Sequence, residues 1–117
     1  MSETQSHKNI KRKAAGNRGQ TEVPLSHGKR LDALSAGGKT ATEVERSGSS
    51  VGLKKASVRL KASGTRKKVL KVPNRDMSKA VRTMKGTRMA GIVSNLGGTR
   101  KKQVRKAQAR KRISKRY

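Results

Sequence analysis

Residues 69–86 read VLKVPNRDMSKAVRTMKG, and this stretch decides the fold class. Val69-Leu70-Lys71-Val72 is a short β-like run closed by Pro73, which has no N–H to continue a ladder. Asn74 is a good helix N-cap, Asp76 suits a first turn, and Met77, Ala80, Val81 and Met84 then fall at i, i+3, i+4 and i+7. Gly86 ends that helix, and Met89–Leu96 can form a further strand in which Gly91 is a weak point. A strand, a helix and a strand in this order imply parallel pairing through a right-handed crossover.

Working toward the N-terminus, Ser47-Gly48-Ser49-Ser50 offers capping side chains, and Leu53, Ala56 and Leu60 recur at i, i+3 and i+7 up to Gly64. Before it, Arg30–Leu34 and Thr40–Glu45 read as two strands joined by Ser35-Ala36-Gly37-Gly38-Lys39. The Gly-Gly pair supplies the positive backbone angles of a hairpin turn. Glu22-Val23-Pro24-Leu25 fits a short edge strand, where proline is tolerated. The expectation is an α/β sandwich over residues 21–97, with a mixed sheet of about five strands and two helices. Residues 1–20 show no apolar period and read as a flexible basic arm. Gly97-Gly98-Thr99-Arg100 reads as a hinge, and residues 98–117 as a second basic arm that becomes helical on binding.

Lys and Arg number 32 against 6 Asp and Glu, so the formal charge is +26. That imbalance repels itself in a compact state and is normally compensated by a polyanion whose counterions are released on binding. The implied partner is nucleic acid, DNA or RNA, engaged through its phosphates. A membrane surface fits poorly, because the chain has no Trp or Phe for an apolar anchoring face. There is no cysteine, and His7 and His27 are too few for a zinc site. With neither a membrane-length apolar run nor a secretory leader, the expected location is intracellular, in cytoplasm or nucleoid.

The charge is unevenly spread. Residues 21–50 balance four cations (Lys29, Arg30, Lys39, Arg46) against four acids (Glu22, Asp32, Glu43, Glu45), while the rest of the chain is strongly basic. The expected phosphate contacts are Lys11, Arg12 and Lys13 in the first arm, and Lys54, Lys55, Arg59, Arg66, Lys67 and Lys68 in the domain. In the second arm they are Arg100, Lys101, Lys102, Arg105, Lys106, Arg110, Lys111 and Arg112. The only aromatic is Tyr117, so readout by base stacking has no platform, and recognition should be of backbone and shape.

The acids of the neutral hairpin admit two readings. Glu43 and Glu45 are two apart and share a strand face, and Asp32 lies across the hairpin, so three carboxylates could converge on one Mg²⁺. Equally, Glu43 and Glu45 could be ordinary solvent-facing strand charges paired with Lys29, Arg30 or Lys39.

The order of Asp32, Glu43 and Glu45, on two hairpin strands followed by a helix and a strand, resembles the PD-(D/E)xK, or restriction-endonuclease-like, nuclease superfamily over residues 21–72. Asp32 matches the family's Asp and Glu43 its Glu. Glu45 stands at its Lys position, and Leu31 replaces the Pro that precedes the Asp. The resemblance implies Asp32, Glu43 and Glu45 as metal ligands and catalytic residues, Mg²⁺ as cofactor, and phosphodiester hydrolysis as the reaction. Without that chemistry, two basic ends around a small aliphatic core resemble ribosomal proteins in general, and imply a non-catalytic structural protein of the ribosome or nucleoid.

Overall fold

The computed structural model describes residues 4–105. Six strands form one mixed sheet in the sequential order β1-β2-β3-β4-β5-β6. They are β1 (Gln20–Pro24), β2 (Arg30–Leu34), β3 (Thr40–Val44), β4 (Lys67–Val72), β5 (Gly91–Asn95) and β6 (Lys101–Val104), with helices α1 (Gln5–Ala15), α2 (Ser50–Ala62) and α3 (Met77–Gly86). β1, β2 and β3 run antiparallel as a meander. β3, β4 and β5 are parallel, linked through α2 and α3, and β6 returns antiparallel to β5.

The expected α/β architecture with a mixed sheet therefore holds, enlarged by one strand and one helix. The β2–β3 turn uses Gly37 and Gly38 at φ 76° and 67°, the left-handed region that glycine enters without steric cost. Ser49 caps α2 by accepting the Gly52 N–H at 3.0 Å. A 3₁₀ turn at Asn74–Asp76 precedes α3, and no side-chain cap bond is made at either start, so Asn74 does not cap as expected. Gly91 is no weak point. A Cβ there would come within 2.6 Å of Met84 Cε and 2.7 Å of the Lys68 carbonyl, so its lack of a side chain lets β5 close against α3 and β4.

The core is aliphatic and lies between the sheet and the α2–α3 layer. Leu53, Ala56 and Leu60 of α2 and Met77, Ala80 and Met84 of α3 meet Ala41, Leu70, Val72 and Val93 of the central strands. Leu70 and Val72 face that core, so Lys71 between them projects to the other face of the sheet, where α1 lies.

Two elements depart from the expectation. Residues 5–15 form a helix, capped by Thr4, whose hydroxyl accepts the His7 N–H at 3.2 Å. Its apolar points are few, with only Ile10, Ala14 and Ala15 turned inward. It is seated by polar contacts, chiefly Lys11, 5% exposed and ion-paired to the sheet, with Arg46 donating to the Ser6 hydroxyl at 2.7 Å, so a search for apolar periodicity finds no helix there. The second departure is β6. Residues 101–104 hold good helix formers, yet the pairing of Gly91 with Val104 and Ser94 with Lys101 sets them in the sheet. Val104 is 1% exposed and Lys101, Lys102 and Gln103 are exposed, which gives the charged edge that discourages further strand addition. Nor does Gly97–Arg100 hinge freely. Asn95 accepts the Gly98 N–H through its carbonyl at 3.1 Å and the Arg100 N–H through its side chain at 3.1 Å, fixing a tight turn.

Candidate nucleic-acid interface and carboxylate pair

The β2–β3 ladder is regular at Ala33↔Thr42 and Leu34↔Ala41. At the next step side chains replace the backbone. The Asp32 N–H donates to Glu43 Oε2 at 2.7 Å, and the Val44 N–H donates to Asp32 Oδ2 at 2.7 Å. The two carboxylates are thus wedged between the strands where the ladder opens.

Each is also met by a cation from a helix. Lys11 Nζ of α1 lies 3.2 Å from Asp32 Oδ1 and also pairs closely with Glu22. Arg59 Nη1 of α2 lies 3.4 Å from Glu43 Oε1. Glu22, between the paired Thr21↔Ala33 and Val23↔Leu31, stands opposite Asp32. Its φ of 54° is uncommon for a residue with a Cβ, and this local departure from strand geometry accompanies its reach to Lys11. A row Glu22, Asp32, Glu43 therefore crosses three strands with Lys11 and Arg59 interleaved. Glu22 was not among the expected site residues, although its place across from Asp32 follows from the meander register. Lys11 was expected as a phosphate contact and instead pairs with acids, because a buried lysine and a solvated one look alike in a basic segment.

Glu43 is 1% exposed. Burial, and then the Asp32 negative charge beside it, push its carboxyl up from 4.5 to about 8, against the opposing pull of the Asp32 N–H and Arg59. Both effects disfavour the charged form.

Glu45 goes elsewhere. It accepts the Ser47 N–H at 3.1 Å and the Ser47 hydroxyl, beside the start of α2. Among the described residues no group of three or more His, Cys, Asp and Glu side chains is placed to hold a metal ion. The four oxygens of Asp32 and Glu43 are each engaged by a donor of the chain itself. As arranged, then, Asp32 and Glu43 come together and Glu45 does not join them, so the residues do not fit a three-carboxylate Mg²⁺ cage. The alternative expectation, Glu43 and Glu45 paired with Lys29, Arg30 or Lys39, is not what is seen either, since Glu43 meets Arg59 of α2 and Glu45 accepts from Ser47.

The expected phosphate contacts separate into groups. Lys54, Lys55 and Arg59 share one open groove of about 450 Å³ with Lys29, Val51 and Val58, and among the described residues no acid lines it. Val51 is 66% exposed there. Arg59 belongs both to this groove and to the Glu43 pair, so the groove borders the wedged carboxylates. Arg66, Lys67 and Lys68 sit at the N-terminal end of β4, where Lys68 Nζ donates to the Thr65 carbonyl. Arg100, Lys101, Lys102 and Arg105 lie exposed on and beside β6. Arg12 and Lys13 are exposed on α1, whereas Lys11, also expected as a phosphate contact, is buried and paired with Glu22 and Asp32. Lys106, Arg110, Lys111 and Arg112 lie outside the described residues. No described helix is long and apolar enough to cross a membrane.

The chain matches no family model, and no curated protein or solved structure matches it either.

Proposed function

We propose that this protein binds nucleic acid through the phosphate backbone, with the groove of Lys29, Lys54, Lys55 and Arg59 as its central contact. The observation that carries this reading is the collection of four cations on one groove, with no acid among its described lining residues, in a chain with a formal charge of +26. Such a surface neutralises phosphates without reading base edges. In this reading the Asp32–Glu43 pair is a structural clasp that ties β2 to β3 and holds Arg59 at the groove edge, and the protein is a non-catalytic component of a nucleic-acid assembly such as a ribosome or nucleoid.

The expected salt dependence is steep. If about 8 phosphates are engaged, log K against log salt on duplex DNA falls with a slope near −7. Lys54→Ala and Lys55→Ala should each shallow that slope by about 1 and weaken binding equally across sequences. A slope near zero for the unaltered protein would sink the reading.

A second reading is metal-dependent phosphodiester hydrolysis. It is favoured by one observation: Arg59 joins the phosphate groove directly to Glu43, so a bound backbone would pass beside the carboxylate pair that the nuclease resemblance singles out. Plasmid incubated with Mg²⁺ or Mn²⁺ decides between the two. The clasp reading expects intact supercoiled DNA from the protein and from Glu43→Gln alike. Nicking that disappears in Glu43→Gln would establish the hydrolytic reading in its place.

A further inference from the structure

A second basic concavity lies on the opposite face of the sheet. It is a cleft of about 520 Å³ between α1 and the turn Leu96–Gly98 that joins β5 to β6. Three elements distant in sequence each send one lysine to it: Lys13 from α1, Lys71 from β4 and Lys101 from β6. No Asp or Glu is among its lining residues that the structure describes. No hydrogen bond or ion pair joins the half-buried Lys71 ammonium to another described residue. In a fold that pairs Lys11 with two acids and gives Lys61, Lys68 and Lys79 carbonyl acceptors, Lys71 lines the cleft with no such acceptor among the described residues.

The cleft is also built. Its turn is held by the Asn95 N–H donating to the Arg100 carbonyl at 3.0 Å, and by the two bonds that Asn95 accepts. Gly98 adopts φ 78°, and a Cβ placed on it would lie 3.6 Å from Lys71 Nζ. The ammonium therefore sits directly under a glycine turn, where a ligand can approach the backbone closely. Holding three ammonium groups together has a cost that an anion would remove. Burial, then the charges of Lys101 and Lys13, hold the Lys71 ammonium below its usual 10.5.

We propose that this cleft is a phosphate-binding site, in which Lys13, Lys71 and Lys101 converge on one phosphate group against the Gly97-Gly98 turn. A phosphate oxyanion is the ligand that fits: it takes several N–H donors at once, and its charge offsets the mutual repulsion of the lysines. The phosphate could come from a nucleic-acid strand or from the free anion. The first source rests on the nucleic-acid reading above and gives the protein a contact on each face of its sheet. The second does not depend on that reading.

The test uses the full chain, with inorganic phosphate as one probe and a short oligonucleotide lacking terminal phosphates as the other. Amide NMR shifts at Gly97 and Gly98 and the binding affinity are followed for the unaltered protein, Lys71→Met, Lys101→Met and the control Lys85→Met on α3. Saturable Gly97 and Gly98 shifts are expected, with affinity weakened about 3- to 10-fold by Lys71→Met and by Lys101→Met and unchanged by Lys85→Met. Loss of one phosphate contact should also shallow the oligonucleotide salt slope by about 1. A response to inorganic phosphate alone identifies the free anion as ligand. In that case the site stands even if the protein binds no oligonucleotide and the nucleic-acid reading fails. Gly97 and Gly98 amides that respond to neither probe, or that respond equally in Lys71→Met and Lys101→Met, overturn the site while leaving the α2 groove untouched. Thermal melting of Lys71→Met without anion is expected to match or exceed that of the unaltered protein, which separates a lost ligand contact from a lost fold.

Discussion

Lys11→Met is expected to destabilise the protein by about 3 kcal/mol or more, because removing one member of a buried ion pair leaves the other charge uncompensated. Methionine keeps the length and apolar stem of the side chain, so packing changes little. Asp32, whose side chain is only 16% exposed, would keep its bond from the Val44 N–H but lose the ammonium that faces its second oxygen. Glu22, at 44% exposed, can turn back to water at less cost. With few apolar contacts to retain it, α1 should then detach. Hydrogen exchange over Gln5–Ala15 should become fast while α2 and α3 stay protected. Adding Asp32→Asn to Lys11→Met should recover part of the loss, since the defect is a charge and not a cavity. Unchanged urea midpoints for Lys11→Met, with α1 still protected, would show that the helix is held by something other than its lysine.

Stability should fall as pH rises from about 4.5 to about 8, and Glu43→Gln should remove most of that fall. The unfolded chain releases the Glu43 proton near 4.5, whereas the folded protein holds it to about 8. Between those values the folded state binds the extra proton, so stability is fully present at the acid end and declines by up to ~1.4 kcal/mol per pH unit. Over the whole window the contribution is on the order of 4–5 kcal/mol at most. Lys71 acts with the opposite sign. Its lowered value means that the folded protein gives up a proton before the unfolded chain does, so stability rises with pH from there toward 10.5. Both proteins of the comparison contain Lys71, and the difference between their urea midpoints at pH 5, 6.5 and 8.5 therefore isolates Glu43. Parallel pH profiles for the two would mean that Glu43 ionises in the folded state as readily as in the unfolded chain.

Much of the site was within reach of sequence reasoning, although its geometry was not. The hairpin acids Asp32 and Glu43 were singled out, and they do meet across β2 and β3. Register accounts for this, because a short glycine turn brings the positions on either side of it into opposition. Glu45 shares a strand face with Glu43, yet it turns to Ser47 at the start of α2, a local acceptor role that spacing does not reveal. Lys71 carried a readable signal, since its place between Leu70 and Val72 in an alternating run puts it on the face away from the core. What it meets there was not readable, because Lys13 and Lys101 come from α1 and β6.

From the sequence alone came the meander turn, the two crossover helices, the parallel central strands and the large excess of positive charge. Each of these rests on a local or additive property: a glycine at positive φ, an apolar period, a sum of charges. Only the tertiary structure decided that residues 5–15 and 101–104 belong to the ordered domain. One is held by a buried ion pair and the other by pairing to β5, and neither leaves a periodic trace in its own segment. The same holds for the division of the cations into a clasp, an α2 groove and a lysine cleft. A lysine has the same charge wherever it stands in the chain, and its role is set by the acid, the open groove or the other lysines that the fold brings beside it.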